Sequence, residues 1–350
     1  MENIGRVKYT VIVAVYNRIT EVQELLQSAE KLEFDRTKFE ILFVDDGSND
    51  GFEEFINGYK SDSNLKIRAI YQENKGPGEA RNNGMRNAFG EYFIYVDSDC
   101  MFPPHWLNEI DKEITRNNYD AFGGPDTFHE SFSPLLKAIN YSMTSLIGTG
   151  GTRGNKKSVG KFYPRSFNMG IHRKIFENIG GMNKLRHGQD MDFSQRIYDA
   201  GYKIGLIPNA FVYHKRRTSI PKFYRQIFNW GVARINLSQK HPSMLKPVHL
   251  LPAMVVIGIL GVLILSLIIP SVALILWAIT IAGYCLVVFW AFLEALLKYK
   301  SFLAALYSPV TLTIQVFAYG FGLIKALWQT RVLGKEEARG FVKGYYGKKR

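Results

Sequence analysis

EYFIYVDSDC, residues 91–100, runs five apolar or aromatic side chains, Tyr92 to Val96, directly into two aspartates separated by a serine. A short run of this kind, with no polar residue breaking it, reads as a strand buried on both faces. Asp97 and Asp99 then stand together where the strand ends. Three other short runs rich in β-branched residues read as strands: YTVIVAVY from Tyr9, LKIRAIY from Leu65, and FEILFVDD from Phe39. Between the first and the last of these, TEVQELLQSAEKL places Leu25, Leu26 and Ala29 on one helical face. Strands alternating with helices imply βαβ units and a parallel sheet. Such sheets collect ligands at the carboxyl ends of their strands. The polar residues fall there: Asn17 after the first strand, Asp45 and Asp46 after the second, Asp97 and Asp99 after the fourth.

Two carboxylates beside a multiply anionic ligand such as a nucleoside diphosphate repel it unless a divalent cation lies between. Oxygen donors suit Mg2+ or Mn2+, which bridge carboxylate and phosphate. Alone, Asp-Ser-Asp is an ordinary solvated turn, but other features point the same way. VDDGSND ends a strand with acceptors for a base or ribose and with turn residues that let backbone approach a ligand. NKGPGEARNNG puts Gly76 and Gly78 before a helix whose first turn carries Arg81, a natural phosphate contact. RHGQDMDFSQRI places Asp190 and Asp192 near a helix start, where a carboxylate serves either as a general base or as a cap. NAFVYHKRR sets His214 after a further strand-like run, as a structural histidine or a metal ligand.

The 350 residues suffice for one domain and an appendage, and the net charge of +13 calls for an anionic partner, nucleic acid or a membrane surface. Cys100 and Cys285 lie in regions of different character, so no disulfide and a reducing compartment are expected. The opening MENIGRVKYTVIVAVYN leads straight into a strand, so no signal peptide is expected. Leu250–Ile269 and Ser271–Leu293 each lack any charged residue. A bilayer core of ~30 Å takes about 20 helical residues, so each run spans once, with Pro270 and Ser271 as the hairpin turn. Lys298, Lys300 and the tail KEEARGFVKGYYGKKR, with six basic residues against two acidic, mark the cytoplasmic side. A third apolar stretch, Phe302–Trp328, holds Pro309, Gln315 and Lys325 and reads as interfacial or re-entrant. Much of the positive excess flanks these segments, where anionic headgroups explain it better than nucleic acid.

Taken in order, these motifs resemble the family 2 glycosyltransferases of the GT-A fold, over roughly residues 8–217. The resemblance implies an α/β fold, a Rossmann-like, mostly parallel GT-A catalytic domain over 1–217, and the charge-free runs add a C-terminal transmembrane helical hairpin. Amphipathic interfacial helices would take 218–248, transmembrane or re-entrant segments 249–330, and a basic cytoplasmic tail 331–350. It implies transfer, with inversion, from a nucleotide sugar, UDP-linked first and GDP-linked next. Carried over, the donor site takes in Val15, Asn17, Asp45, Asp46, Arg81, Asp97 and Ser98. Asp97, Asp99 and His214 would hold Mn2+ or Mg2+, and Asp190 would be the base, with Asp192 as its rival. There are departures from the family pattern. Ala14 stands where proline is usual, and Gln189 replaces the glutamate before the base. QIFNW, Gln226–Trp230, has Asn229 in place of the arginine of processive polymerases.

In IPKFYRQIFNWGVARINLSQK, residues Phe223, Tyr224, Ile227, Phe228, Val232 and Ile235 share a helical face, with Lys222, Arg225 and Arg234 elsewhere. That face suits either anionic lipid or packing against protein. Both place the chemistry at a membrane and imply a lipid-linked acceptor. Resemblance to polyprenyl-phosphate sugar synthases is the competing reading. Their acceptor phosphate is already ionised, and they generally lack the acidic pair before the helix, so Asp190 favours a hydroxyl on a lipid-linked saccharide. A catalytically silent nucleotide-binding scaffold is a third reading, against which the retained aspartates argue.

Overall fold

The computed structural model describes residues 7–149, 161–185, 187–216 and 218–341. Within these the chain forms two compact units. One takes residues 7–129 and 161–215; the other takes 130–149 and 216–341. Residues 130–149, expected within the catalytic stretch 1–217, thus pack with the C-terminal helices. The expected tail over 331–350 is described only as far as Phe341.

The first unit is built on a seven-stranded sheet. Its strands are β1 (Tyr9–Val15), β2 (Phe39–Asp45), β3 (Ile67–Tyr71), β4 (Tyr92–Asp97), β6 (Ala121–Gly123), β8 (Asn168–His172) and β9 (Ile204–Leu206), in the order β3-β2-β1-β4-β8-β6-β9. β1 to β4 pair in parallel, while β8 runs antiparallel to β4 and β6. Helices α1 (Ile19–Ala29), α2 (Phe52–Gly58), α3 (Pro77–Asn87), α4 (Trp106–Asn117), α7 (Arg173–Ile179) and α8 (Gln189–Asp199) accompany the sheet. α1 turns Val22, Leu25, Leu26 and Ala29 inward, on the face that the sequence spacing marks. Tyr9, Phe43, Phe93, Trp106 and Phe122 are fully buried. Each side chain of this size removed from water contributes about 1.5–3 kcal/mol.

Register then positions the site. Val15 pairs with Asp45, and Ala14 pairs with both Val44 and Asp97, so three strands end level. A second, three-stranded sheet lies in the same unit, in the order β5 (Cys100–Met101), β10 (Val212–His214), β7 (Asp126–Thr127). Its pairing sets His214 opposite Cys100.

The second unit contains α5 (Pro134–Thr144), α6 (Leu146–Thr149), α9 (Ile220–Lys240), α10 (Leu251–Ile268), α11 (Pro270–Tyr299) and α12 (Phe302–Leu327). Phe223, Ile227, Val232 and Ile235 of α9 are buried in a cluster with Ile139 and Met143 of α5 and Ala318 and Leu323 of α12. The amphipathic face of α9 therefore packs against protein. Glycines let α9 and α12 approach closely. A Cβ on Gly231 would lie 2.2 Å from the Tyr319 carbonyl oxygen, and one on Gly322 would lie 2.1 Å from that of Phe228. The chain after α12 returns along α9: Asn236 bonds both ways with the Ala338 backbone, and Asn229 with that of Phe341.

Among the described residues three helices are long and apolar enough to cross a membrane: Pro247–Ile268, Pro270–Tyr299 and Phe302–Val332. α10 and α11 expose their apolar flanks, Leu267 at 87% and Leu274 at 71%. The third is one continuous helix from Phe302 through Pro309 to Leu327, and much of it is covered by protein.

Candidate active site

At the end of β1, Val15 turns its side chain into the core and its carbonyl oxygen accepts from the Asp46 amide at 2.9 Å. Asn17 follows in a left-handed conformation, φ +51°. Its side-chain oxygen accepts from the Asn49 amide at 2.8 Å, while its own N–H donates to Ser48 Oγ at 2.9 Å. Ser48 in turn donates to Asp45 Oδ1 at 2.5 Å. Burial raises the Asp45 pKa, and the Ser48 hydrogen bonds offset part of that rise. Asp46 uses both oxygens on the loop before α3, accepting from Gln72 Nε2 at 2.7 Å and from the Lys75 and Gly76 amides at 2.8 Å. The two aspartates expected to meet base and ribose thus also shape the loops around that place. In the same loop both side-chain amide atoms of Asn74 are buried with no protein hydrogen bond.

The acidic centre follows β4. Asp97 Oδ1 pairs with Arg81 Nη2 at 2.6 Å, with Arg81 itself buried on α3 and Ser98 buried beside Asp97. Asp99 pairs elsewhere: its Oδ1 lies 3.2 Å from His214 Nε2. The other ring nitrogen, Nδ1, lies 3.1 Å from Asp126 Oδ2, a carboxylate with a fully buried side chain. Burial alone would lower the His214 pKa, but the two carboxylates outweigh it and raise it to about 9. Positive charge is thus stabilised at this point. Arg18 adds a cation within electrostatic reach of both Asp99 and Asp97.

Ligand atoms of Asp99, Cys100 and His214 lie within 4.8 Å of one another, the one such group among the described residues. Burial pushes the Cys100 thiol well up, so it stays protonated and offers a hard cation little. A carboxylate and an imidazole backed by a second carboxylate fit a divalent cation that takes oxygen and nitrogen donors. Of the three residues expected to share a metal, the structure brings Asp99 and His214 together and pairs Asp97 with Arg81.

The start of α8 separates the two candidate bases. Asp192 is 1% exposed and accepts from Asn183 Nδ2 at 2.9 Å and Arg196 Nε at 3.3 Å. Arg196 also bonds the Ile179 carbonyl, so this pair clasps residues 179–183 to α8. Asp190 keeps a 20% exposed side chain, capped by the Met191 amide at 2.9 Å and with Arg165 Nη1 at 3.9 Å. The preceding Gln189 lies against Gly78 at the start of α3: a Cβ there would meet its Nε2 at 2.2 Å. Asn82 of α3 exchanges two hydrogen bonds with the Met182 backbone, at 2.8 and 2.9 Å. These contacts draw the start of α8 to the helix that carries Arg81.

Sequence reading passed over Arg18, Asn74 and Asp126. Arg18 closes the YNR that follows β1, and Asn74 opens the glycine loop, so a signal for each existed. Asp126, in a two-residue strand, carried none.

Residues 10–180 match the family described as Glycosyl transferase family 2. Glycosyltransferase AglE of Haloferax volcanii is 26% identical over 254 residues, 72% of this chain and 81% of that protein. The poly(ribitol-phosphate) beta-N-acetylglucosaminyltransferase TarS of Staphylococcus aureus strain Mu50 is 39% identical over 143 residues, 38% of this chain. That match spans only 25% of TarS. The mannosyltransferase PcManGT of Pyrobaculum calidifontis, solved with GDP-Man and Mn2+, superposes with a TM-score of 0.64 at 18% identity, over 93% of this chain and 88% of that one. That likeness shows the fold.

Proposed function

We propose that this chain, which belongs to glycosyl transferase family 2 through its residues 10–180, moves a sugar from a nucleotide sugar to a hydroxyl of a membrane-associated, lipid-linked saccharide. The observation that carries the reading is the contrast at α8: the Asp192 side chain is buried against Arg196 at 3.3 Å, while Asp190 keeps a 20% exposed side chain with Arg165 no nearer than 3.9 Å. A hydroxyl acceptor needs a base, and an acceptor phosphate does not.

In the reaction Asp190 takes the proton of the acceptor hydroxyl as that oxygen attacks the anomeric carbon from the face opposite the leaving group. The new C–O bond forms as the bond to the diphosphate breaks, which inverts the configuration. Asp99 and His214, with Asp97 beside them, would hold Mn2+ or Mg2+, which neutralises charge on the leaving nucleoside diphosphate when bound. Asp126 fixes the His214 ring. Arg81 and Arg18 bring positive charge to the same end of the sheet. Asn17, Asp45, Asp46 and Ser98 frame the base and ribose, with Val15 contributing backbone.

We place the α10–α11 hairpin across a cell membrane and the catalytic unit on the cytoplasmic side, where Lys298 and Lys300 lie. The contacts of α12 support an oblique course over the hairpin's base. Phe302 meets Phe292, Thr313 meets Tyr284, and Gly320 meets Pro252 at the start of α10. After roughly 27 Å of helix, α12 is therefore still far from the turn at Ile269.

Nucleoside diphosphate release by purified full-length chain tests the reading, with UDP- and GDP-sugars, with Mn2+, Mg2+ or EDTA, and with a lipid-linked saccharide as acceptor. GDP-mannose belongs in the panel because the structural neighbour was solved with it. Metal-dependent, acceptor-stimulated release is the expected result; no release with any donor would contradict the proposal.

A further inference from the structure

Resting on that membrane-acceptor reading, we propose that a second polar cluster, in the helical unit, holds the phosphate or diphosphate headgroup of a lipid. It forms where α5 meets the last turns of α11. Tyr141, fully buried on α5, donates its hydroxyl to Glu294 Oε2 at 2.7 Å. A turn further along each helix, Lys298 Nζ donates to Thr144 Oγ1 at 3.4 Å. Arg216 is the third charged member. It is 3% exposed, and its guanidinium stands within electrostatic reach of Lys298 and Tyr299. Its backbone is left-handed, φ +56°, a conformation that a side chain of this size adopts against steric cost.

An ammonium and a guanidinium gathered at one spot suit the oxygens of a phosphate, while the Glu294 carboxylate beside them is engaged by the Tyr141 hydroxyl. The surroundings point to a phosphate that carries a hydrocarbon chain. Glu294 and Lys298 come directly after the charge-free run Ser271–Leu293, at the level where a spanning helix meets headgroups. Along the same helix Leu286, Trp290, Leu293 and Leu297 fall at helical spacing and are exposed, at 70%, 60%, 36% and 78%. This apolar stripe ends one residue before Lys298, so a chain lying on it would bring its headgroup to the level of the cluster, within reach of the long Lys298 side chain. In the sequence Arg216 follows the metal-site residue His214 by two positions.

The test measures binding, not turnover, with full-length chain in phosphatidylcholine nanodiscs. EDTA keeps diphosphates off the metal-dependent site. Farnesyl diphosphate and inorganic diphosphate are the probes, applied to wild type, Lys298→Gln and Arg216→Lys. The expected result is saturable binding of farnesyl diphosphate, weakened about tenfold in Lys298→Gln, with inorganic diphosphate bound far more weakly. Lys298→Gln should keep the wild-type melting temperature and the wild-type rate of donor hydrolysis by water. Arg216→Lys retains charge and loses the planar fork, so its affinity should also fall. If that variant does not fold, Lys298→Gln decides. Unchanged farnesyl diphosphate affinity in Lys298→Gln overturns the site, and inorganic diphosphate binding as tightly as the prenyl compound overturns the lipid. Because no turnover is read, failure here is distinct from failure of the transferase reading, which donor hydrolysis by the same samples reports.

Discussion

His214 Nε2 lies 3.2 Å from an oxygen of Asp99 because β10 pairs antiparallel with β5, bringing a residue from the end of the first unit onto the acidic motif behind β4. Asp126 holds the opposite ring nitrogen. A ring fixed in this way presents one nitrogen toward the carboxylate, as a metal ligand requires.

Asp126→Asn should lower Mn2+ affinity about 10- to 100-fold while leaving the fold in place, as read by Mn2+ titration of donor hydrolysis. Unchanged Mn2+ affinity would show that His214 needs no such partner.

The pH dependence of stability follows from the same trio. The folded-state pKa of His214 is raised to about 9 from the ordinary 6.5. The imidazolium therefore stabilises fully below the unfolded value, and the stabilisation is lost as pH rises through about 9. Linkage puts it at roughly 3 kcal/mol. In EDTA, the melting-temperature difference between wild type and His214→Gln should be largest near pH 6 and shrink toward about pH 10. Equal melting profiles for the two proteins across that range would contradict the ion-pair trio.

Asp192→Asn should act on stability. It removes the buried charge facing Arg196 and costs about 1–3 kcal/mol, which thermal melting reads. Any of the variant that folds should retain activity. A stable but inactive Asp192→Asn would make this residue the base.

Gly231→Leu should disrupt the helical unit, because the new side chain would begin 2.2 Å from the Tyr319 carbonyl oxygen. Overpacking of this kind costs about 1–3 kcal/mol or more, visible as a lower melting temperature in detergent. Gly258→Leu is the control, since a Cβ there meets nothing within 4 Å.

Legibility in the sequence tracked the length of the element. β1 to β4 are five- to seven-residue strands rich in β-branched and aromatic residues, so their existence, order and polar ends could be read directly. The three strands of the small sheet have two or three residues each, too short for any period. His214 could be suspected from chain order, whereas Asp126 needed the pairing. α9 announced its apolar face, but a face does not name its partner: α5 and α12 cover it. Asp190 and Asp192 were indistinguishable by spacing, because what separates them is Arg196 and Asn183 closing on one of the two.

The central claim is a base-dependent transfer to a hydroxyl, and turnover by Asp190→Asn measures it most directly. Wild type and variant would each receive a lipid-linked saccharide or bare polyprenyl phosphate, with the same donor and metal. The account predicts turnover only with the saccharide, lowered about 10²- to 10⁴-fold in the variant. Turnover on bare polyprenyl phosphate that survives the substitution would contradict it and make the chain a polyprenyl-phosphate sugar synthase.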